Sequence, residues 1–169
     1  MNPKDGYRLI VLATNWGYRG STDEFCRDAK KEGYDGIEIW WPNEKAAQDE
    51  LFAALEKHQL QVGYLCAGSD SNYTKHKAQF EAALTAATSQ SKVRPLYINA
   101  HSGRDYFSFE ENAALIDIAT RISQRSGIPV NHETHRSRML FAAHIAKQFI
   151  AAKPDLRLTL DISHWCNVH

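Results

Sequence analysis

Short β-rich runs alternate with longer helical stretches along the whole chain, and this rhythm restricts the fold more than any single motif. Strand-type runs fall at residues 8–14, 35–40, 61–67, 95–101, 129–134 and 157–162. Helical patterns lie between them at 21–32, 43–58, 73–91, 108–125 and 137–152. Strands separated by helices cannot form tight hairpins, so the alternation predicts βα units around a parallel sheet. Two helix starts carry the reciprocal capping pattern, Ser21-x-x-Glu24 and Ser108-x-x-Glu111, and Gly33 and Gly127 stand where helix C-caps are expected.

A parallel α/β chain closes into a barrel or spreads into a doubly wound sheet. The doubly wound option usually places a glycine-rich phosphate loop after the first strand. Here that segment reads ATNWGYRGSTDE, with neither a dinucleotide fingerprint nor a Walker pattern. The expected fold class is therefore α/β, a (β/α) TIM-barrel-type parallel sheet. With no linker or low-complexity stretch, residues 1–169 are expected to form one domain. A complete barrel needs about 250 residues, so the chain is expected to hold about six of the eight βα units and to be truncated after the sixth strand. An unclosed sheet has two open edges, which another copy of the chain could cover in a homo-oligomer; a catalytically inactive fragment of a longer barrel is an alternative.

Composition removes several function classes. Twenty basic and 20 acidic side chains give zero formal net charge without a run of either sign, so no footprint for nucleic acid or an anionic membrane is visible. Three widely spaced cysteines, Cys26, Cys66 and Cys166, contain no CxxC and suggest a reducing, cytoplasmic setting. The opening MNPKDGYRLIVLATNWGYRG has only a short apolar run and lacks the pattern of a signal peptide. No stretch approaches the ~18 apolar residues of a membrane span.

Strand side chains alternate between faces, and the polar ones fall consistently on one of them. Glu38 and Trp40 oppose Ile37 and Ile39; Asn99 and His101 oppose Ile98 and Ala100; Asn131, Glu133 and His135 oppose Val130, His132 and Thr134; Thr159 and Asp161 oppose Leu158 and Leu160. In a parallel barrel the apolar set packs under helices and active sites gather at the C-terminal strand ends. Glu38, His101, Glu133 and Asp161 all sit at such ends. Burying a lone carboxylate costs several kcal/mol, which a divalent cation would offset. Carboxylates with imidazoles suit Mn2+, Mg2+, Co2+ or Zn2+, and Glu133, Asp161 and His164 are the central candidates. The alternative is a neutralising hydrogen-bond network without metal.

Other residues carry competing readings. His132-Glu133-Thr134-His135 places its second histidine one residue too early for a zinc-protease helix and follows Gly127-Ile128-Pro129 as a strand. His101 is either a site residue or a structural histidine. His58 and His76 are expected as solvated helix residues, and His144 as packing or surface. Trp16, Trp40, Trp41 and Trp165 would line a sugar pocket or simply fill the barrel mouth. Arg104, Arg136 and Arg138 would hold a phosphate or carboxylate, or be surface charges.

GIEIWWP (36–42), INAHSGRDYF (98–107), PVNHETHRSR (129–138) and LTLDISHW (158–165) resemble the xylose isomerase-like TIM barrel superfamily, which includes sugar phosphate isomerases and epimerases, inosose dehydratases and AP endonucleases of family 2. The resemblance implies a divalent metal held by Glu133 and Asp161, completed by a histidine and a carboxylate from seventh and eighth strands beyond those of this chain. It also implies that His164 binds substrate or a second metal, that His101 lines the site and that Glu38 lies on the cavity floor or binds substrate. Glu133 and His164 are the expected catalytic residues, and Glu38, Trp40, His101, His135, Arg136 and Trp165 the expected substrate contacts. Cys66 stands where the endonucleases carry a histidine, which lowers that reading. The expected activity is metal-dependent isomerisation or epimerisation of a small sugar, sugar phosphate or polyol through an enediolate-like intermediate. An inosose dehydratase-like lyase and an endonuclease are the alternatives.

Overall fold

The computed structural model describes residues 6, 8–89 and 92–168. Its strands are all parallel where their pairing is recorded, and neighbours follow the chain order β1 to β6. The backbone divides into two compact units, residues 1–63 and 64–169, with the boundary inside the third strand.

The first unit holds β1 (Leu12–Thr14), α1 (Thr22–Lys31), β2 (Gly36–Trp40), α2 (Lys45–His58) and the start of β3 (Gln61–Ala67). Leu12 pairs with Gly36 and Thr14 with Glu38. Gly36 is required where it stands, because a Cβ there would lie 2.3 Å from the Gln61 carbonyl oxygen. The Asp35 carboxylate accepts the Val11 amide at 2.9 Å and the Arg8 guanidinium at 3.0 Å, so the approach to β1 is held by a side chain. That strand is shorter than expected: Leu9, Ile10 and Val11 are exposed and outside the ladder. His58 is not solvated as expected. Its side chain is largely buried and, with Lys57, meets Asp23 at 2.8 Å, joining α2 to α1.

The second unit carries the rest of β3, then α3 (Tyr73–Ser89), β4 (Ile98–His101), α4 (Phe109–Ser126), β5 (Val130–Glu133), α5 (Ala143–Ala152), β6 (Leu158–Thr159) and α6 (Ile162–Cys166). The expected extension of α3 to residue 91 lies outside the described residues. Both predicted capping boxes form, with the Ser108 hydroxyl accepting the Glu111 amide and Glu111 accepting the Ser108 amide. Ile98, Ala100, Leu115, Ile116 and Ile122 are buried, as the apolar strand face and one helix face require. His76 is the clearest departure from expectation: it is fully buried, its Nδ1 shares a hydrogen bond with the Asp70 carbonyl, and its ring packs edge-on against Phe107.

The sixth strand and fifth helix are also shorter than their patterns. Asp161 caps a sixth helix that sequence periodicity did not separate from the strand, so β6 stops after two residues. Residues 134–142 form turns rather than the start of α5, with Ser137 at φ +61°. Such a left-handed turn interrupts a helix even where the apolar spacing suggests one.

His132, the imperfect member of its apolar set, does face the helices. It lines a cavity of about 430 Å3 with Thr120 and Ser123 of α4 and Asp155 and Arg157 before β6, and its Nδ1 lies 2.7 Å from the Ser102 hydroxyl. Burial pulls its pKa down to about 4.

Two predictions follow from these packing features. Gly103 has φ +63°, and a Cβ there would come within 2.0 Å of Asn112 Oδ1. Gly103→Ala should destabilise the fold by about 2 kcal/mol or more in chemical unfolding. His132 gains its proton near pH 6.5 when unfolded but only near 4 when folded, so stability must fall as pH drops through that window. Its share of that loss between about pH 7 and pH 5 should be about 2 kcal/mol, and His132→Gln should flatten the slope by that amount.

Candidate metal centre

The C-terminal ends of β4, β5 and β6 bring together the polar residues that alternation had placed on one face. Glu133 closes β5 and is 8% exposed. Its Oε2 accepts the Asn99 amide at 2.6 Å and the His101 Nε2 at 2.8 Å, both from β4. Burial by itself raises the carboxyl pKa. The donors from His101 and Asn99, with His135 nearby, outweigh it and hold Glu133 below the ordinary carboxylate value. Glu133 is therefore ionised at neutral pH although it is buried.

Asp161 follows β6 and caps α6, accepting the His164 amide at 3.2 Å and the Ser163 hydroxyl at 2.6 Å. Its modest burial raises the carboxyl pKa, but these bonds and the His164 imidazole outweigh it, so this group too is held low. His164 stands in the first turn of α6, and its Nε2 lies 3.8 Å from Asp161 Oδ2. The approach of β6 to β5 depends on Thr134. Its hydroxyl accepts the Asp161 amide at 2.8 Å and lies 3.2 Å from the Asp161 carbonyl.

Three imidazoles form a file along the cluster. The His101 and His135 ring centres are 4.8 Å apart, and those of His135 and His164 are 3.8 Å apart. The Nδ1 of His135 shares a short hydrogen bond with the Arg136 carbonyl. A carbonyl only accepts, so Nδ1 carries the proton and Nε2 keeps its lone pair. Burial, helped by its two histidine neighbours, lowers the pKa of His135.

Two overlapping groups of donors result, His101–Glu133–His135 and Glu133–Asp161–His164, each with ligand atoms within 4.8 Å of one another. They share Glu133. A divalent cation fits this donor set on two grounds: carboxylate oxygen with imidazole nitrogen suits such ions, and two polar atoms in the cluster, Asn99 Oδ1 and His164 Nδ1, are buried without a hydrogen-bond partner among the described residues.

The other sequence candidates fall elsewhere or serve differently. Glu38 and Trp40 lie at the end of β2 in the first unit, half-buried and exposed respectively. Arg136 is exposed. Trp165 packs beside Met139, Leu140 and Phe149, and its indole N–H donates to the Leu140 carbonyl at 3.0 Å. Asn99 and Thr134 were visible only as members of strand faces. Their roles needed the pairing of β4 with β5 and of β5 with β6, which no local pattern encodes.

No protein-family model matches the chain, and no curated protein matches it by sequence. Solved structures do match. The probable 3-DHS dehydratase of petrobactin synthesis from Bacillus anthracis aligns with a TM-score of 0.70 and 16% identity over 94% of this chain and 65% of its own. The AP endonuclease, family 2, from Brucella melitensis gives 0.69 and 17% over 93% and 70%. A xylose isomerase-like TIM barrel protein from Mycobacterium smegmatis, solved with magnesium, gives 0.62 and 14% over 90% and 64%. The chain thus spans about two thirds of the length of each of these structures. In fold the chain is α/β, an incomplete TIM-barrel-type parallel sheet of six strands alternating with helices, similar to these structures.

Proposed function

We propose that the Glu133 cluster is the metal-dependent active site of an enzyme that moves a proton beside the carbonyl of a small sugar, sugar phosphate or polyol. The observation that carries this reading is the sharing of one buried, ionised carboxylate between two groups of imidazole and carboxylate donors. Glu133 and Asp161 are the proposed metal ligands, with His164 beside them. A divalent cation held there would supply the positive charge that an enediolate-like oxygen needs as it develops.

The chain's own groups set the rest of the chemistry. Asn99 and His101 fix Glu133 Oε2, which orients the carboxylate and keeps it deprotonated, the state needed in a ligand or in a base. His164 presents a buried ring nitrogen with no protein partner among the described residues, and is the second proposed catalytic group. His135, whose ring neighbours those of His101 and His164, has an unprotonated Nε2 and is a proposed substrate contact. Arg136 and Trp165 complete the proposed substrate contacts of this unit, although the packing of Trp165 also accounts for its position.

Isomerases, epimerases and dehydratases of carbonyl sugars share this first proton abstraction. A fold match to a dehydratase and another to a magnesium-bound barrel are consistent with it. The zero net charge offers no attraction to a phosphate backbone, so abasic DNA is the less favoured substrate. The length of the matched structures makes any activity of this chain alone part of the proposal.

Dialysed protein should bind close to one equivalent of Mn2+. Glu133→Gln and Asp161→Asn should each weaken that binding by at least about 100-fold, whereas Asn99→Ala, which removes only a supporting donor, should cost about 10- to 100-fold. Metal-free behaviour of the unmutated protein would end this reading. Incubation of the metal-loaded protein with ketoses and inososes in D2O should show deuterium entering at the carbon beside the carbonyl, followed by NMR. Loss of that exchange in His164→Gln, with metal content retained, would place the histidine in the chemistry rather than in metal retention.

A further inference from the structure

Several cations of this protein have acidic neighbours: Arg8 pairs with Asp35, Arg121 with Glu81, Lys57 with Asp23 and Lys153 with Asp117. Two half-buried guanidiniums on the loops after β4 and β5 do not. Among the described residues, neither Arg104 nor Arg138 has a carboxylate within ion-pair distance. Arg104 Nη2 donates to the Ser69 carbonyl at 2.7 Å, while its Nε is buried with no partner. Arg138 has only two long contacts, from Nη1 to the carbonyls of Gly68 at 3.3 Å and Gly103 at 3.5 Å. Carbonyl dipoles orient a guanidinium but do not cancel its charge.

The two groups also repel one another. Burial first, and the Arg104 charge second, pull the pKa of Arg138 down to about 10, with Glu133 acting in the opposite direction. Both arginines stand on the loops that leave the ends of β4 and β5, the strands that carry His101 and Glu133.

Their supports are rigid. The Asn112 side chain accepts the Arg104 amide at 3.3 Å and donates to the Arg104 carbonyl at 2.9 Å, behind the left-handed Gly103. The Gln79 side chain accepts the amides of Ser69 and Asp70 at 3.0 Å, so the carbonyl that holds Arg104 is itself held. Two like charges are thus kept together by loops that gain nothing from their repulsion. Guanidinium forks match the oxygens of carboxylate and phosphate, and an anion between them would relieve the cost of their burial.

We propose that Arg104 and Arg138 form an anion subsite beside the Glu133 cluster and bind the phosphate or carboxylate group of the substrate. The assignment to substrate rests on the function proposed above; the anion site itself does not.

The test is calorimetric titration of chelator-treated protein with inorganic phosphate and, separately, with malonate, so that no metal mediates binding. One of the two should saturate with one anion per chain. Arg104→Gln and Arg138→Gln should each weaken it by at least about tenfold, the scale of one lost charge-assisted contact, and Glu133→Gln should still bind. Preference for phosphate would assign a phosphate ester, and preference for malonate a carboxylate. Failure of both anions to saturate at millimolar concentration would overturn the proposal, as would unchanged binding in both arginine variants. Thermal unfolding checks that the variants fold. If Arg104→Gln does not, Arg104→Lys carries the test, and should bind phosphate more weakly than the parent because it keeps the charge and loses the fork. Failure here together with intact Mn2+ binding would remove the anion subsite and leave the metal reading standing.

Discussion

The buried carboxylate of Glu133 is the constraint around which the second unit is arranged. A carboxylate at 8% exposure is tolerable only if donors reach it, and the parallel pairing of β4 with β5 brings Asn99 and His101 onto the same oxygen. Were that register to slip by one residue, Asn99 and His101 would turn to the helices and Ile98 and Ala100 would face the acid. The polar mouth and the apolar core are thus fixed by one pairing.

The same economy governs the strand ends. Thr134 sits one residue beyond Glu133 and takes the Asp161 amide, so the residue that follows β5 also holds the point where the chain leaves β6 for α6. Asp161 then satisfies the first turn of that helix, which presents His164 toward the acid. On the other side Asn112 holds the loop after β4, and only a glycine at 103 leaves room for its amide. Side chains on helices and strand ends therefore carry the geometry of loops that have no ladder of their own, and this is what lets His101, His135 and His164 stack in a file without a regular element between them.

Charge is distributed unevenly across this mouth. Two acids held low, three imidazoles and two guanidiniums without acidic partners of their own lie at the same strand ends of a chain whose formal charge sums to zero. Under the proposed function, this local asymmetry would suit a small ligand with both oxygens for a metal and an anionic tail. The fold matches, a dehydratase, an endonuclease and a magnesium-bound barrel among them, show how many chemistries one scaffold admits, so the site and not the fold must discriminate between them.

By itself the sequence determined the parallel α/β class, the two capping boxes and the strand face on which His101 and Glu133 lie, because period-two alternation and cap chemistry are local. It did not reveal the partners Asn99 and Thr134, the burial of His76, the Asp23–His58 pair, or the turns that delay α5 to Ala143. Each depends on residues 20 or more positions apart, or on a backbone angle such as the positive φ of Ser137 that residue type does not signal. Tertiary structure decided which of the polar residues touch, since a hydrogen bond requires two groups to be placed within about 3 Å and the sequence places only one at a time.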